Sequence, residues 1–336
     1  MERCGYKLGA CIFLMTTADV RLALKHTITC HRAPVTSMIY DDSGSVLFSG
    51  SADGTIVVHT VDANPNQEPR FLHRLHRTQA KGINALAWSA NRVLAAGDDC
   101  AVLWDINVQK PMITLADHTL PVTDCDIYEN FALTSSADQT INLVDMRQGK
   151  SISTMRAHTG AVLSCRLLPK LDILGPGNIG ALTGGTDGMI KLWNAIQGNT
   201  LVTVKPAKPI STIQVSPNGK YALCSQVGAG VVLHSLPTDQ KGLEIRKVKD
   251  YSIHESAEYL LPANYMWLKD TKTQMIACGS SKNQIVIYDI KRSDRMLIEP
   301  ISLLSPPLAI ASSANSQLLG VGCMDSRIHL FDIITE

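Results

Sequence analysis

The run Gly175-Pro176-Gly177-Asn178-Ile179-Gly180 has the G-x-G-x-x-G spacing with which a backbone closes around a pyrophosphate. That chemistry needs a strand before the glycines and a helix after them, whereas the residues from Gly180 to Thr183 are strand-like. The run therefore reads as a surface hairpin loop. His26, Cys30 and His31, and separately His73 and His76, offer imidazole and thiol ligands. Neither group has two paired ligand halves at zinc spacing, so core or solvent-facing roles are expected, with no metal and no cofactor. Two basic stretches, Arg70, His73, Arg74, His76, Arg77 and Lys81, then Lys241, Arg246, Lys247 and Lys249, are read as solvated faces of outer strands. They are the local patches through which an acidic partner or a nucleic acid would have to act.

Composition narrows the classes further. Of 336 residues, 45% are hydrophobic and 18% charged, which is a globular balance and excludes wholesale disorder. Lys and Arg total 31 against 30 Asp and Glu, so no net charge drives attraction to nucleic acid or an anionic membrane. No apolar run reaches the length of a membrane-spanning helix, and no membrane partner is expected. Nine scattered cysteines without a C-x-x-C, and no N-x-S/T acceptor, read as reduced thiols in a cytoplasmic or nuclear protein. Arg3 and Lys7 before the apolar run 8–15, with Ala18 beyond, imitate a secretory leader. The cysteine usage points inside the cell, so this run is expected to be an added strand or an extension.

Internal repetition decides the fold. The clearest copy spans 157–194: His158 opens it, 161–167 is a first strand, 180–183 belongs to a second, Thr186-Asp187-Gly188 turns, and 189–193 is a third. Asp-Gly between β-rich runs predicts a type I′ hairpin. Asp53, Asp98, Asp138, Asp187 and Asp325 each lie six residues before His59, Trp104, Val144, Trp193 and Phe331. Two further copies keep their strands, at 210–215, 221–225 and 230–235, and at 263–268, 274–278 and 284–289. A fourth β-like segment follows each third strand, at 70–75, 111–115, 151–156, 200–205, 243–249 and 296–304. Four strands per repeat make a propeller blade. The last copy stops after three strands, and the orphan strand 19–27 supplies the missing edge. The expectation is an all-β, seven-bladed propeller over 19–336, closed by an N-terminal strand, with 1–18 an extension.

These repeats resemble the WD40-repeat β-propellers over residues 19–336. The resemblance implies that a His before the first strand, a Ser or Thr in the second, the turn Asp and a third-strand Trp form one hydrogen-bonded set. By position the fourth copy holds His158, Thr183, Asp187 and Trp193; the third His118, Thr134 and Asp138; the first His31, Ser49 and Asp53. In the second, Leu94 is expected at the hydroxyl position, with Asp98 or Asp99 in a shortened turn. The fifth and sixth lack the Asp. Read as Ser-His-Asp catalysis the sets fail, because nucleophilic catalysis needs one activated residue beside an oxyanion site and this trio recurs blade after blade.

The family resemblance implies a non-enzymatic scaffold that binds protein partners within a multiprotein complex. Loops on rigid strands carry such contacts, which singles out Arg32, Lys81, Leu120, Thr186 and Met324 near the channel mouth. Innermost strands such as 85–88 and 162–165 carry no carboxylate pair or metal cluster, so no catalytic residue is assigned. Val144-Asp145-Met146-Arg147 resembles the W-D-x-R run that docks some relatives to a cullin-RING ligase adaptor, which makes a ligase substrate receptor, through Asp145 and Arg147, the alternative. The segment 83–106 resembles ribosome-biogenesis factors and adds RNA processing as a further alternative. A G-protein β subunit is disfavoured, because no heptads precede the first strand.

Overall fold

The computed structural model describes residues 20–335 except 62–66, 77–80, 170, 207, 238–242, 252–261, 269–272, 291–299 and 314–316. Seven antiparallel sheets of four strands succeed one another along the chain. Blade 1 contains Val35–Tyr40, Val46–Ser51, Thr55–Thr60 and Arg70–His76, and blade 2 Ile83–Ser89, Arg92–Gly97, Ala101–Asp105 and Lys110–Leu115. Blade 3 contains Val122–Tyr128, Phe131–Ser136, Thr140–Asp145 and Lys150–Arg156; blade 4 Val162–Leu168, Gly180–Gly185, Ile190–Asn194 and Asn199–Val204. Blade 5 contains Ile210–Val215, Tyr221–Gln226, Gly230–Ser235 and Arg246–Tyr251, and blade 6 Ala263–Leu268, Thr273–Ser280, Gln284–Asp289 and Ile301–Ser302. Blade 7 combines Pro307–Ser312, Leu318–Cys323 and Arg327–Thr335 with the N-terminal strand Val20–Thr29.

Burial follows position in the blade. In blade 3 the third strand is buried at all its positions, because both its faces lie between neighbouring sheets, while the fourth strand keeps only Met155 buried. The first strand of each blade packs against the first strand of the next, so these strands are innermost. Bulges at Val35/Ser37, Ile83/Ala85 and Val122/Asp124 turn the intervening Thr36, Asn84 and Thr123 toward the following blade. Thr36 Oγ1 donates to Ile83 O at 2.5 Å, Asn84 Nδ2 to Val122 O at 2.9 Å, and Thr123 Oγ1 to Val162 O. Seating the next blade also needs a small residue near the end of the second strand. A Cβ on Gly184 would stand 2.6 Å from Ile210 Cγ2, and one on Gly322 2.5 Å from Val35 Cγ1.

Strand Val20–Thr29 pairs antiparallel with Arg327–Thr335 from Val20↔Thr335 to Thr29↔Arg327, and so completes blade 7 from both ends of the chain. Lys25 Nζ lies 3.2 Å from Asp332 Oδ1 across this pair. The closing strand runs two residues past the expected 19–27, and Asp19, like the run 8–15, lies outside the described residues.

Three local expectations are corrected. The fourth strand of blade 5 starts at Arg246, not 243, and that of blade 6 is described only at Ile301–Ser302. The Asp turns are not type I′. Gly188 has φ 70° and Gly54 φ 79°, but Asp187 and Asp53 keep negative φ, and Gly188 N–H closes on Gly185 O at 3.1 Å. The Asp side chain bonds the backbone two residues on, Met189 N–H at 3.0 Å, which holds the Asp right-handed and leaves the left-handed position to the next residue. Finally, pairing in blade 2 sets Val93 opposite Trp104 and Ala95 opposite Val102, as Ala181 and Thr183 stand opposite Trp193 and Lys191 in blade 4. Ala95, not Leu94, occupies the hydroxyl position, because the blade 2 turn is one residue shorter.

Closure gives a test. Removal of residues 1–19 retains the closing strand and should leave the thermal midpoint within about 2 °C. Removal of 1–29 strips Arg327–Thr335 of its partner and should produce concentration-dependent aggregation in light scattering. Equal behaviour of the two truncations would contradict closure by this strand.

Candidate interaction face

In blade 4 the His158, Thr183, Asp187 and Trp193 side chains form one chain of hydrogen bonds. Trp193 Nε1 donates to Thr183 Oγ1 at 2.8 Å, Thr183 lies 2.8 Å from His158 Nε2, and His158 Nδ1 lies 2.8 Å from Asp187 Oδ2. The carboxylate only accepts, so His158 carries its proton on Nδ1 and accepts from Thr183 at Nε2. Burial holds the His158 pKa below the ordinary range against the pull of Asp187, so the imidazole is neutral. Burial pushes the Asp187 carboxyl up, but the N–H groups of Met189 and Thr159 and the His158 ring outweigh it, and its pKa ends below normal.

Blades 1 and 3 insert a threonine that the repeat pattern alone did not single out. Thr140 Oγ1 donates to Asp138 Oδ1 at 2.6 Å and stands 3.0 Å from His118 Nδ1, whose other nitrogen lies 2.9 Å from Thr134 Oγ1. In blade 1, Thr55 does the same between Asp53, at 2.6 Å, and His31, at 3.0 Å, while His31 Nε2 lies 2.8 Å from Ser49 Oγ. The His31 to Asp53 distance relaxes to 3.5 Å, against 2.8 Å in blade 4, where Met189 replaces the threonine. The available signal was a Thr two residues after Asp in both copies. These contacts pull the Asp138 pKa down to about 2 against the opposing effect of burial.

In blades 1, 3 and 4 the turn carboxylate also reaches the loop that enters its blade. Asp53 Oδ2 accepts from Arg32 N–H at 2.8 Å, Asp138 Oδ2 from Thr119 N–H at 2.9 Å, and Asp187 Oδ2 from Thr159 N–H at 3.1 Å. In the shortened blade 2 turn the acceptor is Asp98, which takes Gly82 N–H at 3.1 Å and Asn84 Nδ2 at 3.2 Å. Because strands alternate in direction, entering loops and Asp turns emerge at one end of the propeller. Arg32, Lys81 and Leu120 lie on entering loops, Thr186 and Met324 on Asp turns, and all five are exposed. Leu304, 80% exposed on the loop entering blade 7, belongs with them, since Met324 N–H bonds Pro306 O at 3.0 Å.

The other candidates are dispersed. The G-x-G-x-x-G run joins the first two strands of blade 4, with Gly175 and Gly177 at positive φ and no helix after it. Among the described residues no cluster of His, Cys, Asp or Glu is arranged for a metal. His31 is committed to its threonine and serine, and His73 reaches Gln109. Arg74 donates to Cys30 O at 2.5 Å, and Arg246 pairs with Glu244 and Lys247 with Asp250. Arg77 and Lys241 lie outside the described residues. Arg147 folds back on Asp145 in a two-point pair, with bonds of 3.0 and 2.7 Å.

A cavity of about 520 Å³ follows the axis. Contrary to the expectation for innermost strands, Val122–Tyr128 carries two carboxylates, Asp124 and Asp126. Asp124 Oδ2 accepts from Ser164 Oγ at 2.7 Å, Cys165 N–H at 3.1 Å and Arg166 Nη1 at 2.7 Å, so it serves as a bridge from blade 3 to blade 4.

Fold and repeats together define a seven-bladed β-propeller whose repeats are similar to those of the WD40 family. The family model described as WD domain, G-beta repeat matches residues 22–60 and 149–194. The chain is similar to WD repeat-containing protein 1 of Xenopus tropicalis, 24% identical over 92% of this chain and 48% of the relative. It is also similar to p21-activated protein kinase-interacting protein 1-like of Danio rerio, 25% identical over 68% of this chain and 55% of that protein. F-box-like/WD repeat-containing protein TBL1X of Mus musculus is 24% identical over 60% of this chain and 48% of its own length. The chain thus spans about half the length of these relatives. Propellers of this kind are interaction scaffolds and are generally without enzymatic activity.

Two measurements test the network. Asp187→Ala should lower unfolding free energy by about 2 to 4 kcal/mol, because it strands His158 and two backbone N–H groups. Asp325→Ala should cost less, since Asp325 is exposed and holds only Arg327. Denaturant midpoints ranked the other way would refute the shared-carboxylate account.

The second concerns His59, which occupies the Trp position of blade 1 and has its Nδ1 buried without a hydrogen bond. Burial, with His31 and Arg74 nearby, lowers its pKa to about 4. The unfolded chain therefore binds the proton first, so its contribution to stability is whole above about pH 6.5 and is lost as pH falls toward about 4. His59→Phe should remove roughly 1 to 2 kcal/mol of the stability loss between pH 7 and pH 5. The same loss of unfolding free energy between pH 7 and pH 5 in both proteins, from urea titrations, would contradict this.

Proposed function

We propose that this propeller is a protein-interaction scaffold whose partner docks on the end that carries the His loops and the Asp turns. The observation that carries the reading is the pinning of exposed anchors by half-buried carboxylates: Asp53 accepts from the N–H of Arg32, Asp138 from that of Thr119 beside Leu120, and Asp187, next to Thr186, from that of Thr159. Rigid apolar and arginine anchors are the usual hot spots of an interface, each costing about 1 kcal/mol or more on truncation. Leu120, Met324 and Leu304 supply apolar area, and Arg32 and Lys81 supply cations. One relative is named for its interaction with a protein kinase, which agrees with this class of role.

The ligase-receptor alternative gains no support from Arg147, which is occupied by Asp145. The outer basic strand of blade 1 is the competing surface. Arg74 is a poor probe of it, because its guanidinium braces the loop that carries His31. Arg32→Glu with Lys81→Glu should abolish co-purification of partners from cells, whereas Arg70→Glu with His76→Glu should spare it. Loss of binding in the second pair alone, with an unchanged melting curve, would place the partner on the outer strand instead.

A further inference from the structure

A second cavity, about 270 Å³, opens at the opposite end of the molecule, between the first strands of blades 3, 4 and 5. Its walls are largely apolar, with Leu168 and Leu171 on the blade 4 side and Val215 and Pro217 on the blade 5 side, where Gln214 and Ser216 add polar groups. Asp126 and Arg166 line it where it approaches the axial channel, and Arg166 lines both cavities. Arg166 is already matched, since its Nη1 lies 2.7 Å from Asp124 Oδ2 and 2.6 Å from Cys165 O. Asp126 is held in place by Leu167 N–H on Oδ2 at 2.8 Å and Ile127 N–H on Oδ1 at 2.9 Å. No ion pair to Asp126 forms among the described residues. With both carboxylates ionised, the buried Asp124 and the half-buried Arg166 and Asp126 carry one negative charge in excess among the described residues, on the side of the slot. A carboxylate partly withdrawn from water is stabilised by a cation beside it.

We propose that this slot receives a lysine side chain from an extended segment of a protein partner, its stem between the apolar walls and its ammonium on Asp126. A lysine stem covers apolar surface while its head seeks the one uncompensated charge, which matches the walls and floor in turn. In the empty slot burial raises the Asp126 carboxyl pKa, against the lowering pull of Arg166 and the Leu167 and Ile127 N–H groups. Asp124, Arg166 and Cys125 are the other titratable or charged groups that act on it among the described residues. This surface lies at the far end from the proposed partner face, and its test is independent of variants there.

The probe is N-acetyl-lysine methylamide, titrated into the methyl-labelled full chain at pH 7 by NMR. The methyls of Leu168, Leu171 and Val215 should shift saturably with a Kd on the order of millimolar. The norleucine and Nε-acetyl-lysine analogues should bind about tenfold more weakly or not at all, and Asp126→Asn, which keeps an oxygen for Leu167 N–H, should weaken the lysine compound by a similar factor. Equal response to the norleucine analogue would make this an unspecific apolar slot and overturn the proposal. A preferential response to the glutamate analogue would do so too, as an anion site on Arg166. These comparisons on the unaltered protein decide the matter even where Asp126→Asn fails to fold. Lys170, next to Pro169 in the slot wall, lies outside the described residues and is the internal competitor. If the compound shifts these methyls only in Lys170→Met, the chain's own lysine fills the slot and a partner lysine is excluded. Equal or tighter binding in both proteins supports the proposal.

Discussion

A carboxylate in the turn between second and third strands, accepting at once from its own turn, from a neutral histidine and from the loop that enters the blade, is the contact on which the interaction face rests. Asp187 shows the logic most fully. Met189 N–H and Thr159 N–H approach from two different loops, and His158 fixes the third direction. A buried anion is costly unless its lone pairs are filled, and filling them ties together chain segments almost thirty residues apart, from 158 to 187. The donor chain from Trp193 through Thr183 to His158 then extends that tie inward to the middle of the sheet.

The tie weakens around the ring, and packing replaces it. Blade 5 puts His234 at the Trp position with its Nδ1 buried and unbonded, while blades 6 and 7 put Tyr288 and Phe331 there, both buried. Those blades hold their sheets mainly through apolar layers such as Met266, Met275, Ile285 and Leu319. Area burial is non-directional, so it stabilises a blade without fixing where its turn points. Among the described residues the tie from turn carboxylate to entering loop is found in blades 1 to 4, the blades on which Arg32, Lys81, Leu120 and Thr186 fall.

Blade number, strand order and ring closure were legible in the sequence, because a constant six-residue offset from Asp to the third strand marks five copies and the spacing of the strands marks the other two. The finer errors have physical causes. Leu94 and Ala95 both lack a hydroxyl, so residue type does not choose between them, and the pairing of Ala95 with Val102 separates them. The turn type was misjudged because Asp-Gly satisfies two geometries, and the side-chain bond from Asp187 to Met189 N–H chooses between them. Thr55 and Thr140 act through contacts that a column of motif letters does not display. Asp124 and Asp126 were passed over because alternation in a strand reads as solvent exposure, whereas here the exposed side of the strand is the channel and the neighbouring blade.

That last misreading bears on function. Two carboxylates on one innermost strand are what a catalytic propeller would present, so their environment decides the matter. Asp124 has one oxygen filled by three donors and the other by Cys125 N–H, and every one of those donors belongs to the fold. A carboxylate so saturated cannot take a proton from a substrate without breaking the blade 3 to blade 4 seam. Asp126 faces a slot whose other lining residues are aliphatic side chains, Gln214, Ser216 and an arginine already bound to Asp124, and among the described residues no second carboxylate lines it. General acid and base work needs two groups with separated pKa values on either side of a reacting bond. A single carboxylate in a largely apolar slot is suited to recognising a cation, as the pinned loops at the other end are suited to holding anchors for a partner.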